Sequence, residues 1–286
     1  MAATKKKIII DTDPGIDDAM AIFVVLRSPQ VEVIGLTTTY GKVYTTLATR
    51  DALHLLEVAG RTDIPVAERK GAKLRIVDFV HGADGLGNQK FPPPKGKPIE
   101  QSAATFLIKQ ANLYLGNVLL DETFSVNDDM NPAAEANIFG NPDAADIVFT
   151  SGADVLAVGI NSVHQVVLTD ADRDKFFLKV ERFAQYLSRI LEVYFSYHRE
   201  AYLTRGVYLH DPTAILASIN PSLVTFTEGL VRVQTTGITR GLTILYNGQK
   251  RFGEHTEWSD KSTVKVAVTV DAPSVVKLVL DRLMGS

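Results

Sequence analysis

The apolar positions of the chain fall first in a short run and then at helical spacing. Ile8, Ile9 and Ile10 stand together and stop at Asp11, which predicts a buried strand ended by a turn at Pro14-Gly15. Between residues 16 and 27 the apolar side chains Ile16, Met20, Phe23 and Leu26 recur at the helical period. A second strand is expected over 31–38 and a second helix over 47–59. Strand, helix, strand, helix in this order predicts a parallel sheet with helical crossovers.

Periodicity fades over 67–101, where Gly, Lys and Pro gather and the run Phe91-Pro92-Pro93-Pro94 occurs. That stretch reads as a long surface connection. A helix follows over 102–113, whereas 116–130 is too polar for a core strand and has no helical stripe. Order returns with a helix over 142–150 and a strand over 154–159. Residues 177–197 read as one long amphipathic helix whose aromatic face (Phe183, Tyr186, Tyr194, Tyr197) is expected to pack in the core. Strands are expected at 230–235, 242–246 and 264–270, and a last helix over 273–284. No internal repeat or linker interrupts the 286 residues. The expectation is one α/β domain over residues 1–286, with an open, mostly parallel sheet and helices on both faces.

Charge and composition narrow the function classes. Thirty basic against 33 acidic residues leave a net charge of −3, so no overall field would draw nucleic acid or an anionic membrane. There is no basic stripe for nucleic acid and no run long enough to span a membrane. Cysteine is absent, which removes disulfides, thiolate ligands and a cysteine nucleophile. Lys5-Lys6-Lys7 is followed by too short an apolar run for a signal peptide, so a cytoplasmic protein is expected.

The chemistry concentrates after the first strand. Asp11, Asp13, Asp17 and Asp18 place four carboxylates within eight residues, at the strand end where open α/β sheets bind ligands. Helix capping explains one or two of them. The others call for a positive partner, and a hard divalent cation with oxygen ligands is the natural candidate. An EF-hand loop starting at Asp11 is excluded, because its twelfth position is Ile22. A haloacid-dehalogenase-type phosphatase would also begin with strand-Asp-x-Asp, but its second acidic motif is missing. A cation-dependent site acting on a sugar needs further acids, amides and a proton carrier. Glu135 and Asn137 in the segment 131–137, and His210-Asp211, supply those types.

Taken together, DTDPGIDDA (11–19), NPAAEANIF (131–139), VGIN (158–161) and HDP (210–212) resemble the inosine–uridine nucleoside hydrolase family, its plant branch above all. The resemblance runs over nearly the whole chain. It implies hydrolysis of the N-glycosidic bond of ribonucleosides to ribose and free base, with a tightly bound Ca²⁺ and a dimer or larger oligomer; a homodimer is expected here. By position, Asp13, Asp18 and Asp211 would be calcium ligands, with Asp11 in the same cluster. Asp13 would also be the general base on the attacking water. Asp17, Glu135 and Asn137 would hold ribose hydroxyls, and His81 and His210 would lie near the nucleobase to assist its departure.

Three departures stand out. Lys42 and Asp129 each occupy a ribose-side position where the family usually has asparagine. Lys42 would bring a cation to the calcium site, and the two residues could pair. The larger departure is a missing stretch between residues 114 and 131, where the family carries a strand with Leu-Gly-Pro-Leu-Thr-Asn, a helix and a further strand. That stretch would supply a backbone calcium ligand and central strands, so its loss would expose neighbouring edges or force new pairing, with 118–120 and 123–126 as candidate replacements. A smaller contraction falls around 68–73. Two functions are therefore expected in competition: a Ca²⁺-dependent nucleoside hydrolase, or a fold relative that binds metal or ribose without turnover.

Overall fold

The computed structural model describes residues 5–70, 80–113, 120–121, 133–248 and 253–285. Strand β1 (Lys6–Thr12) pairs in parallel with β2 (Val31–Thr38), and β2 with β3 (Val66–Glu68). The crossovers are α1 (Ile16–Leu26) and α2 (Thr45–Ala59). Helix α1 is apolar almost all round after its two aspartates, and every residue from Ile16 to Val25 is buried. A helix of that composition belongs inside the protein. It packs against α8 (Arg182–Ala201), α9 (His210–Ile219) and α10 (Ala272–Met284), and the largest apolar core forms around it.

Between α2 and α3 (Ala103–Leu113), β3 is the one strand or helix among the described residues. The rest of the expected surface connection is irregular, tied by a bridge between Ala67 and Ile99. A second sheet is built from β4 (Leu120–Asp121), β5 (Leu156–Val158), β8 (Val224–Val233), β9 (Thr243–Tyr246) and β10 (Val264–Val270). Its order is β4-β5-β10-β8-β9, parallel as far as β10 and antiparallel beyond. Helices α4 (Ala136–Gly140), α5 (Pro142–Phe149) and α6 (Ile160–Val163) flank it.

The α/β architecture expected from the sequence is present, with differences in detail. Two three-residue strands, β6 (Val167–Thr169) and β7 (Gly206–Tyr208), form an antiparallel ribbon too short to leave a period-2 pattern. The long helix expected over 177–197 is α8, which starts five residues later, at Arg182, and is preceded by a separate, unexpected helix α7 (Asp170–Phe177), capped by Thr169 and Asp172. The break leaves Leu178 and Val180 exposed, and their apolar character is what made the pattern read as continuous. The strand expected at 230–235 begins six residues earlier, at Val224.

One feature of the topology bears on the site. Among the described residues β1 is an edge of the first sheet and β4 an edge of the second, so the strands divide along a seam. A cavity of about 60 Å³ lies between β1 and β5, lined by Ile10, Thr12, Ala21, Leu156, Val158 and Ile215. Leu120–Asp121 pairs in parallel with β5, and Leu120 is the last residue of one of the runs proposed as a replacement; residues 118–119 and 123–126 lie outside the described residues.

Candidate active site

The acidic loop follows β1 directly, and helix-end chemistry and charge chemistry share it. Asp18 accepts a hydrogen bond from the Gly15 amide at 2.8 Å and another from the Thr12 hydroxyl, which ties the first turn of α1 to the end of β1. Asp17 accepts the amide of Asp18 at 3.1 Å and turns the rest of its carboxylate towards the opposite wall. That wall is the start of α9, where Asp211 is the second helical residue. Asp17, Asp18 and Asp211 are all buried, and their carboxylate oxygens lie within 4.8 Å of one another.

Lys42 stands in the middle of them. Its ammonium lies 2.5 Å from Asp18 Oδ2, 3.1 Å from Asp17 Oδ1 and 3.4 Å from Asp211 Oδ2. Burial alone would lower the pKa of this lysine, but Asp17, Asp18, Asp211 and Asp13 together hold it well above the ordinary value. The Lys42 amide also donates to Asp13 Oδ2 at 2.8 Å. Burial pushes the Asp13 carboxyl up to about 7, with Lys42 opposing that rise and Asp18 and Asp17 adding to it. Burial acts on Asp17 in the same upward direction, but Lys42, His81 and His210 outweigh it and hold Asp17 well below the usual carboxylate range.

Glycine makes the approach possible at two places. A Cβ on Gly41 would fall 2.1 Å from Asp13 Oδ2, and one on Gly15 would fall 2.7 Å from Cδ of Lys42. Both positions therefore need a residue without a side chain for Lys42 and Asp13 to sit as they do.

The other side of Asp17 faces rings. His81 Nδ1 accepts the Ile16 amide at 3.2 Å, which leaves the imidazole proton on Nε2. Burial lowers the His81 pKa to about 4, so the ring is neutral near pH 7. His210 opens α9, and its Nδ1 lies 3.3 Å from the Tyr194 hydroxyl and 3.8 Å from Asp17 Oδ2. Tyr194 is fully buried on α8, stacks on His81 at 5.3 Å between centroids, and places its hydroxyl 3.4 Å from Asp17 Oδ2.

The sequence-derived candidates thus divide. Asp13, Asp17, Asp18, Lys42, His81, His210 and Asp211 come together. Asp11 lies outside the cluster of three and accepts from the Thr37 hydroxyl at 2.5 Å. Glu135 is buried at the carboxyl end of β5, where its Oε1 accepts the Ile160 amide at 2.8 Å. Asn137 is exposed on α4. Asp129 lies outside the described residues, and so does its expected pairing with Lys42.

Sequence reasoning assigned Tyr194 to the core and passed over His164 and His198. His164 stacks on Tyr208 at 3.9 Å and lies 5.3 Å from the His210 ring; His198 Nδ1–H donates to the Tyr194 carbonyl at 3.0 Å. Burial lowers the pKa of each to about 3, so both are neutral aromatic walls. The i, i+4 pair Tyr194 and His198 on one helix face was the available signal.

The donor set has the chemistry of a site for a hard cation, since all its ligands are carboxylate oxygens. Its centre, however, is taken by an ammonium already within hydrogen-bond distance of each carboxylate. As the residues stand, a divalent ion and Lys42 exclude each other.

Known proteins give this geometry its context. The sequence profile described as "Inosine-uridine preferring nucleoside hydrolase" matches residues 8–121 and 116–277, two pieces that meet where the middle segment is short. The chain is 62% identical to "Probable uridine nucleosidase 2" of Arabidopsis thaliana, over 99% of this chain and 98% of that protein. That alignment has 317 positions against 286 residues here, so at least 31 positions of the alignment have no residue in this chain. "Uridine nucleosidase 1" of the same plant is 41% identical over 98% of this chain and 93% of its own length. Among solved structures, a plant nucleoside hydrolase superposes with a TM-score of 0.94 at 46% identity, covering 99% of this chain and 100% of that one. A purine-preferring ribonucleoside hydrolase from Gardnerella vaginalis does so with a TM-score of 0.89 at 28% identity, over 98% of each chain. With its acidic loop, its late His-Asp pair and its fold all matched end to end, the chain belongs to the inosine-uridine preferring nucleoside hydrolase family and is a nucleoside N-ribohydrolase.

Proposed function

We propose that the substrate is a ribonucleoside with uridine foremost, and that the pocket formed by Asp13, Asp17, His81, Tyr194 and His210 carries out the cleavage. One observation carries this reading: a buried, ionised Asp17 is enclosed by two imidazoles and a phenol, next to a second carboxyl poised near neutrality. The uridine preference is taken from the plant relatives, whose names state it.

In the proposed reaction a water oxygen attacks the anomeric carbon as the bond from that carbon to the base nitrogen breaks. Asp13 takes the proton from the water, and a carboxyl with a pKa of about 7 suits that transfer. Asp17 stays anionic, accepts ribose hydroxyls, and its charge stabilises the positive ribosyl centre more in the transition state than in the ground state. The base leaves with the bonding electron pair and needs a hydrogen bond or a proton. His81 offers Nε2–H, and His210 lies beside the Tyr194 hydroxyl. Glu135 and Asn137 would hold the ribose from the β5 side.

Calcium is the cofactor that the sequence resemblance implies for a hydrolase of this family. The present arrangement does not accommodate the ion, so no step above passes through it. The same fact favours the second reading, a relative that binds ribose without turnover. Release of reducing sugar from uridine and inosine, by wild type and by Asp13→Asn, separates the two. Release that the variant loses supports the hydrolase; a folded wild type that releases none overturns it in favour of the binding protein.

A further inference from the structure

We infer that Lys42 is the resident cation of this site: its ammonium occupies the point among Asp17, Asp18 and Asp211 that a divalent ion would need, and the folded chain holds these carboxylates together without metal. The inference concerns cation binding alone and stands whether or not the chain turns nucleosides over.

The geometry is that of a filled site rather than a passing contact. An ammonium has three N–H donors, and here three carboxylate oxygens from two elements surround it, at 2.5, 3.1 and 3.4 Å. The lysine is fixed along its length as well. Its amide is bonded to Asp13, and its stem crosses Gly15, where a Cβ would meet Cδ at 2.7 Å. Gly41 gives the chain the close approach to Asp13 that starts this path. The lysine side chain is 16% exposed, so solvent does little to screen the attraction.

A Ca²⁺ ion takes its oxygens at roughly 2.3–2.6 Å and would therefore sit within contact distance of the ammonium. It can enter only if Lys42 leaves, and leaving strips three charged hydrogen bonds from a buried group. Breaking contacts of that kind is costly enough to weaken metal affinity by about 100-fold or more.

The test is calorimetric titration of CaCl₂ into chelator-treated wild type, Lys42→Met and Lys42→Asn, with melting temperatures measured in calcium and in EDTA. Wild type should show no binding in the micromolar range and a melting temperature indifferent to EDTA. Lys42→Met and Lys42→Asn should bind calcium at least about 100-fold more tightly than wild type, and calcium should raise their melting temperature. Folding of Lys42→Met only in the presence of calcium would support the inference equally. Micromolar binding by wild type, or a fall in its melting temperature on chelation, overturns it. So does calcium binding that is absent, or of equal strength, in folded wild type and both folded variants. The wild-type arm decides by itself if neither variant folds.

Discussion

The carboxyl ends of β1 and β5 face the same region of the molecule and are built in opposite ways. At β1 nearly every polar atom is tied: Asp18 to Thr12, Gly15 and Lys42, Asp17 to Lys42 and the rings, and Asp13 to the Lys42 amide. At β5 a strand of three residues ends in a four-residue helix, and Glu135, just ahead of α4, accepts the Ile160 amide. The difference teaches where the two tasks reside. In the proposed reaction, water activation and charge stabilisation fall to the closely tied end, and ribose holding to the residues proposed at β5.

The largest effect should come from the tied end. Asp13→Asn keeps an acceptor for the Lys42 amide but removes the base, and kcat should drop by about 10³-fold with the melting temperature not lowered. An Asp13→Asn enzyme within threefold of wild type would remove Asp13 from the mechanism. Next comes Asp18→Ala, which deletes the helix-end acceptor and leaves Lys42 with one anionic partner fewer. Urea unfolding should show a loss of about 3 kcal/mol. At the other end Glu135→Ala removes the acceptor of the Ile160 amide, and about 1–2 kcal/mol is expected by the same measurement. If Glu135→Ala costs more than Asp18→Ala, the contrast between the two ends is the wrong way round.

The smallest and finest test is pH. Below about 7 Asp13 carries its proton and cannot accept another, so kcat/KM should fall tenfold per pH unit on the acid side and level off above. Stability runs the other way for this group. Its folded pKa is raised from 3.8, so the native state holds the proton longer than the unfolded chain does. The stabilisation linked to Asp13 is therefore full below about pH 4 and is lost as pH rises through about 7. Denaturant melts of wild type and Asp13→Asn across pH 4–8 should converge at low pH and diverge at high pH, with the variant the more stable there.

How far the sequence disclosed all this depended on the length of the signal. Helix α1 and strand β2 were legible from apolar patterns sustained along the element, and β1 from three isoleucines that stop at an acidic turn. The ribbon β6–β7 was not, because three residues carry no period, and the α7–α8 break was hidden by apolar residues that the structure leaves in solvent. The acidic loop was read as a charge problem needing a cation, and Lys42 was singled out as the residue out of place. What sequence could not give was distance. Whether Lys42 approached the carboxylates or turned away depended on two glycines 26 residues apart, Gly15 beside the Lys42 stem and Gly41 beside Asp13. Tyr194 shows the complementary limit: a buried aromatic on an apolar face is core by pattern, and only the fold shows its hydroxyl reaching Asp17.

The complete burial of α1 has a mechanical consequence. A rod packed on every side cannot slide or turn without opening voids around it, and protein interiors tolerate few of those. Asp17 and Asp18, mounted on its first turn, are therefore held in depth and bearing like marks on a fixed gauge. Whatever adjustment a bound molecule requires must come from the parts that surround that gauge: the segment bearing Lys42, the loop bearing His81, and the start of α9.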